Sequence, residues 1–172
     1  WEAKFNTVQS ANGEVGIVNT PTTGSSAGAY RLYYQTYGIS VNDYGAVWSN
    51  NTNTGITLGT LSTSDIVCFA WDGVNQALYV RKNGDAWINS GDPTSGASKT
   101  GAVKTFTGTR TMFPAVGDQS GAHAVGTSTN FGNGYFGTTA ISSEGTNASG
   151  IGKFEYDVPT GYTALSTKGL NE

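Results

Sequence analysis

Charge is scarce in this chain. Only 12% of its 172 residues are Asp, Glu, Lys or Arg, and long runs of Ala, Leu, Glu and Lys that would favour helix are missing. Nine basic residues against twelve acidic ones leave a net charge of -3 and a pI near 5.0. The basic residues are scattered, so no patch can neutralise phosphates, and nucleic acid is not an expected partner. The one cysteine, Cys68, cannot form an internal disulfide; lying in the most apolar run, it reads as a small buried core residue and not a nucleophile. The one histidine, His123, sits in Gly121-Ala122-His123-Ala124 with no partner spacing for a metal site or a Ser-His-Asp arrangement. No apolar stretch approaches the roughly 18 residues that span a bilayer, so membrane insertion is not expected. The pattern G-x-x-x-x-G-K-S/T is missing, so there is no phosphate cradle, and no cofactor is implied.

What is abundant is glycine, 25 residues of it, with Ser, Thr and Asn, around short apolar runs. The most telling stretch is Asp65 to Gly84. Ile66 to Trp71 is an unbroken run rich in aromatic and β-branched side chains, and it stops at Asp72-Gly73, a turn dipeptide. A second run, Ala77 to Val80, ends at Asn83-Gly84. Together they predict an antiparallel hairpin whose first strand is covered on both faces, hence a sheet packed against another sheet.

Along the rest of the chain, Trp1 to Val8 alternates as a strand with Glu2, Lys4 and Asn6 on a wet face. Val15, Ile17 and Val18 mark a second strand before a Pro, Thr, Ser and Gly loop over 20–28. Tyr30 to Tyr37 alternates, with Tyr30, Leu32 and Tyr34 on one face. Ile39 to Trp48 reads as a strand pair or a strand and bend, and Ser49 to Gly55 is polar enough to be a surface loop. Ile56 to Leu61 leads into the hairpin. Asp85 to Thr105 is a long ordered excursion. Met112 to Val116 is a strand in which Pro114 marks an edge or bulge, and Ala124 to Phe131 returns from the turn that follows. Phe154 to Leu165 closes the domain. Roughly ten to thirteen short strands with turn chemistry between them predict an all-β sandwich or barrel. Its length suits one domain spanning 1–172. Because Trp1 falls in what reads as mid-strand, that domain is expected to be a segment of a longer polypeptide.

Several separated patches resemble one family. Trp1-Glu2-Ala3-Lys4-Phe5 followed by Gly16-Ile17-Val18 looks like the opening of the SPRY domain. Leu78-Tyr79-Val80-Arg81-Lys82-Asn83-Gly84 is similar to its hairpin signature. Phe113-Pro114-Ala115-Val116 is similar to its P-A-V strand, Asn130-Phe131-Gly132 to its N-F-G, and Phe154 to Leu165 to its ending. The order is kept over nearly the whole chain. The Trp87 to Gly96 insertion and the Gly-rich stretch after Gly132 resemble a subgroup found in structural proteins of bacteriophages and marine viruses. Val158, Ser166 and Asn133 depart from the usual residues. The resemblance implies a concanavalin A-like, jelly-roll-like bent β-sandwich of two antiparallel sheets. It further implies a recognition or scaffolding module without catalytic activity, binding through variable loops at one rim.

A glycosidase on such a sandwich needs two carboxylates on one face, and the E-x-D-x-x-E spacing of laminarinase-like enzymes is missing. Glu155 and Asp157 share a face at i, i+2 without a third acid, which reads as a solvated strand face. Asp72, Asn75 and Asp85 could supply oxygens to Ca²⁺, but turn roles explain them. The aromatics Tyr30, Tyr33, Tyr34, Tyr37, Tyr44 and Trp48 crowd one third of the chain, mostly as packing. Trp48 beside the Asn50 to Asn53 loop, and Trp87 in the insertion, are flanked by amides and hydroxyls as sugar-stacking indoles are; the alternative is that both pin their loops. The expected ligand-binding residues are therefore Tyr44, Trp48, Asn50, Asn51, Trp87 and Asp92, with no catalytic or metal residues.

Joined to the resemblance, these residues predict a non-enzymatic module of a phage virion protein, in a fibre, spike or capsid decoration. Its expected place is the virion surface and its expected partners are other virion subunits, in a homo-oligomer, and a host-surface glycan or protein. The alternatives are a carbohydrate-binding module of a secreted bacterial protein and a degenerate glycosidase.

Overall fold

The computed structural model describes residues 1–8, 13–21, 31–118 and 126–165. Among them twelve short strands form two antiparallel five-stranded sheets and a small hairpin. The strands are β1 (Glu2–Phe5), β2 (Gly13–Val18), β3 (Ile39–Asn42), β4 (Ala46–Ser49), β5 (Thr52–Thr57), β6 (Ile66–Asp72), β7 (Ala77–Lys82), β8 (Lys104–Thr105), β9 (Phe113–Asp118), β10 (Thr127–Asn130), β11 (Tyr135–Phe136) and β12 (Thr139–Ala140). Sheet A runs β10-β1-β6-β7-β8 and sheet B runs β5-β4-β3-β2-β9, with β11 and β12 paired apart. The chain is an all-β sandwich.

Strand alternation builds the core. Ala3, Phe5, Val67, Phe69, Leu78 and Val80 of sheet A meet Val15, Ile17, Ile39, Val41 and Val47 of sheet B, with Leu58, Leu61, Val103 and Phe106 from the connections. Each is at most 8% exposed, and burying large apolar side chains at this completeness contributes about 1.5–3 kcal/mol apiece. The predicted hairpin is present as β6 and β7, in register from Val67 opposite Lys82 to Asp72 opposite Ala77. Its outer face is buried too: Ile66 and Cys68 pack with Trp87, Phe136 and Tyr156, while Ala70, Ala77 and Tyr79 pack with Trp87 and Tyr162. Sheet A thus carries an outer layer of mostly loop chain that includes the β11–β12 hairpin. Cys68 is buried as expected, and loss of solvation pushes its thiol pKa up to about 12.

Several expectations give way. The outer face of β1 is wet only in part: the outer layer covers Glu2 to 3% exposure, while Lys4 is half-buried and Asn6, just past the strand, is exposed. Tyr30 lies outside the described residues, and the strand expected over 30–37 is instead a 3-10 turn at Leu32–Tyr34. Glu14 draws the Leu32 N–H away from any ladder, so this segment lies across sheet B instead of joining it. Ser49 to Gly55 is not a loop throughout: Asn50 and Asn51 turn the chain and Thr52 begins β5. An edge strand wet on both faces has the composition of a loop. The closing segment from Phe154 forms no strand, because the N–H groups of Glu155 and Tyr156 donate to the Glu2 side chain and not to a neighbouring backbone. The return strand is shorter than predicted, β10 alone, and His123 lies outside the described residues.

Pro114 is an edge residue, as its chemistry required. Asp43 N–H donates to the Gly13 carbonyl, which fixes the phase of β2 and leaves residues 114, 116 and 118 of β9 pointing away from it.

Candidate functional site

The family-like motifs meet at one buried hub. Glu2 accepts from Asn130 Nδ2 at 3.1 Å and from the N–H groups of Glu155 and Tyr156, both at 3.0 Å. Asn130 in turn donates to the Lys153 carbonyl and accepts from the N–H groups of Gly132 and Gly134. Gly132 is required here twice over. Its φ is +111°, and a Cβ would lie 2.6 Å from that of Ala164. Burial raises the Glu2 pKa, and the three donors work against that shift. Arg81 completes the assembly, donating to the Asp157 carbonyl at 2.6 Å while its guanidinium lies 4.7 Å from the Trp87 ring centre. These residues hold the outer layer on sheet A.

The acids considered for catalysis or calcium are likewise committed to structure. Glu155 accepts from Ser142 N–H and Oγ, and Asp157 from Thr146 N–H and Oγ1, so both staple the Gly-rich segment. Asp72 accepts from Val74 N–H, Asn75 N–H and Asn75 Nδ2. The net result holds its carboxyl below the usual range, those bonds outweighing a desolvation that alone would raise it. Among the described residues no three His, Cys, Asp or Glu side chains gather as a metal site would need.

The six predicted ligand-binding residues fall in two places. Trp87 and Asp92 belong to the outer layer of sheet A. Trp87 packs against β6 and β7, and Asp92 caps the 3-10 turn at Pro93–Ser98 by accepting from Thr94 N–H and Oγ1. Tyr44, Trp48, Asn50 and Asn51 belong to sheet B, on the far side of the sandwich. Tyr44, 51% exposed, sits at the β3–β4 turn, at the opposite end of β4 from Asn50 and Asn51.

At the Asn50 end the structure assembles a corner that the sequence pattern only half disclosed. The Tyr33 ring lies 5.0 Å from Trp48, centre to centre, and meets Tyr34 edge-on at 5.1 Å. The Arg31 guanidinium lies 5.2 Å from the Tyr34 ring centre. Tyr33 is buried at 5% exposure, Trp48 beside it is half-buried, and the exposed ring of the group is Tyr34, at 39%. Asn50 and Asn51 have φ of 49° and 56°, the two positive values that a two-residue hairpin turn demands and that Asn tolerates. Asn51 N–H donates to the Tyr33 carbonyl at 2.8 Å, tying the turn to the aromatic segment. Both Asn side chains are exposed, and neither amide makes a hydrogen bond among the described residues. The missed residues, Tyr33 and Tyr34, carried a signal in their number, but the strand expected there hid how they would be presented.

The segment bearing these rings rests on Glu14, which is 1% exposed. Its Oε2 accepts from Leu32 N–H at 3.0 Å and Ser40 Oγ at 3.1 Å, whereas Oε1 is buried without a hydrogen-bond partner among the described residues. Desolvation raises its pKa to about 7, against the hydrogen bonds from Ser40 and Leu32, the charge of Arg31 and the nearby Tyr33 N–H.

A second concave feature, a groove of about 800 Å³, opens beside β6. It lies between the β6–β7 turn, the closing segment and the Met112 and Pro114 end of sheet B, and aromatic and aliphatic side chains dominate its lining. No protein-family model matches this chain, and no curated protein is significantly similar to it.

Proposed function

We propose that this chain is a non-catalytic recognition module of the SPRY-like, concanavalin A-like kind, part of a phage virion protein, and that it binds a glycan of the host surface. The observation that carries the glycan reading is the Asn50–Asn51 corner. Two exposed amides with no hydrogen-bond partner among the described residues stand on a tight turn beside an exposed tyrosine. Sugars are held by that pairing, an aromatic face for the apolar side of the ring and planar amides for its hydroxyls. Because the turn and the rings are already fixed to each other, little ordering entropy is lost on binding. The virion assignment rests on the family resemblance, whose motif residues supply the hub that seats the outer layer.

A glycan array tests the proposal. The intact chain should retain a defined set of glycans. Tyr34→Ala should lose them, as should the double variant Asn50→Gly, Asn51→Gly, which removes both amides while Gly accepts the positive φ. Trp87→Ala should leave the pattern unchanged. Binding that survives the first two variants, or an array with no bound glycan, overturns the assignment. A map of the assembled particle with this corner turned inward would refute its placement as a host-facing surface.

A further inference from the structure

We propose that the glycan taken at the Asn50–Asn51 corner is acidic: a sugar bearing a carboxylate, which Arg31 binds while the sugar ring rests against Tyr34. This rests on the glycan reading of the corner and names the chemical class of its ligand.

Charge is nearly missing from this side of the molecule. Between Val15 and Ser64 the chain carries one basic residue, Arg31, and one acidic residue, Asp43. Asp43 is 0% exposed, whereas Arg31 is half-buried and stands at the aromatic rings. Its guanidinium lies 5.2 Å from the Tyr34 ring centre and 5.9 Å from that of Tyr33, and its Nη1 donates to the Tyr33 hydroxyl at 2.6 Å. These contacts give the head group a set direction. A cation therefore stands beside the exposed ring of the group and the segment tied to the two exposed amides.

The neighbouring acids do not cancel it. Asp118 pairs with Gly13, at the end of sheet B that holds Tyr44 and away from Asn50 and Asn51. Glu14 lies beneath the segment that bears the rings, and burial raises its pKa to about 7. At pH 6 it is mostly protonated, and the corner keeps a net positive charge among the described residues.

A guanidinium is a planar fork of donors, and a carboxylate is the planar acceptor that matches it, through charge-assisted bonds stronger than those to a neutral hydroxyl. Each part of the ligand then has its place. Tyr34 takes the apolar face of the sugar ring, the Asn50 and Asn51 amides take hydroxyls, and Arg31 takes the carboxylate. A neutral glycan gains only the first two.

The test titrates the intact chain at pH 6 and low salt with four forms of one oligosaccharide: the neutral hexose, the hexuronate, the methyl ester of that hexuronate, and a sulfated hexose. The hexuronate should bind about tenfold more tightly than its methyl ester, the gain expected of hydrogen bonds to a charged group. Added salt should narrow that gap. Arg31→Gln should close it, and Arg31→Lys, which keeps the charge without the fork, should retain part of it. The proposal is overturned if acid and ester bind alike to the intact chain, if the sulfated form binds more tightly than the hexuronate, or if Arg31→Gln still prefers the acid. Because Arg31→Gln also removes a bond to Tyr33, the comparison of acid and ester on the intact chain decides the matter if that variant does not fold. Acid and ester bound equally well would leave the glycan reading standing, whereas an array on which nothing binds overturns both, so the two failures are separate results.

Discussion

Each sheet of the sandwich wears a cover, and each cover is held by one buried glutamate, yet the two are finished differently. On sheet A, Glu2 meets three donors from Asn130 and the closing segment, and Arg81 clamps the layer from the other side. On sheet B, Glu14 meets donors on Oε2 only, and its other oxygen is buried and unanswered among the described residues. A buried carboxylate that is fully engaged fixes whatever its donors belong to. One that is half engaged keeps a standing desolvation cost and favours its protonated form. The thick cover therefore rests on a carboxylate with both oxygens engaged, while the thin cover, which carries the tyrosines, rests on one engaged through a single oxygen.

Breaking the hub should give the largest effect. Asn130→Ala removes a donor to Glu2, a donor to Lys153 and the acceptor for Gly132 and Gly134. It should cost about 2–4 kcal/mol in urea unfolding, since several buried polar groups lose a partner at about 1–3 kcal/mol for each one left unsatisfied. A loss below about 1 kcal/mol would dissolve the contrast between the covers.

The Glu14 cover makes a prediction about pH. An acid whose folded pKa lies above its ordinary 4.5, here at about 7, is bound to its proton more tightly when folded. Its contribution is complete below pH 4.5, declines as pH rises through 7 and is flat beyond. The decline amounts to about 3 kcal/mol at most. Glu14→Gln keeps an oxygen for Leu32 and Ser40 and abolishes the charge, so its stability should change much less across pH 5–8. An unaltered pH slope in that variant would sharpen the comparison against Glu14 and toward Glu2, whose pKa is also raised. Asp72 and Asp157 act in the opposite direction and lower down: their pKa values are depressed, so the stability they confer is lost as pH falls below the ordinary 3.8.

The smallest effect tests the turn. Asn50→Ala and Asn51→Ala should each cost about 1–2 kcal/mol, because alanine resists a positive φ, whereas the glycine variants should cost a few tenths. Thermal unfolding of the four variants separates these outcomes. Equal losses in both pairs would mean that the amides, and not the backbone, stabilise the turn.

The sandwich was readable where local signals agreed. Ile66 to Trp71 is apolar, β-branched and turn-bounded, and it forms the central strand; Pro114 announced an edge and occupies one. Reading failed where a side chain from a distant strand overrode the backbone's own preference. Nothing near Leu32 reveals that Glu14 will take its N–H, and nothing near Glu155 reveals that Glu2 will take two in succession. The candidate corner was half legible for the same reason. Trp48, Asn50 and Asn51 stood out by residue type, while Tyr34 became the exposed ring only once the segment bearing it lay across the sheet. Trp87 and Asp92, alike in local chemistry, were drawn into packing and capping on the other side.

The outward edge of β9 has one further effect. At 114, where a neighbouring copy would look for an N–H, the ring of proline offers none, and the row of donors is interrupted before it can be copied. A second copy pairing along this edge would thus find its ladder cut at the proline and confined to the rest of β9.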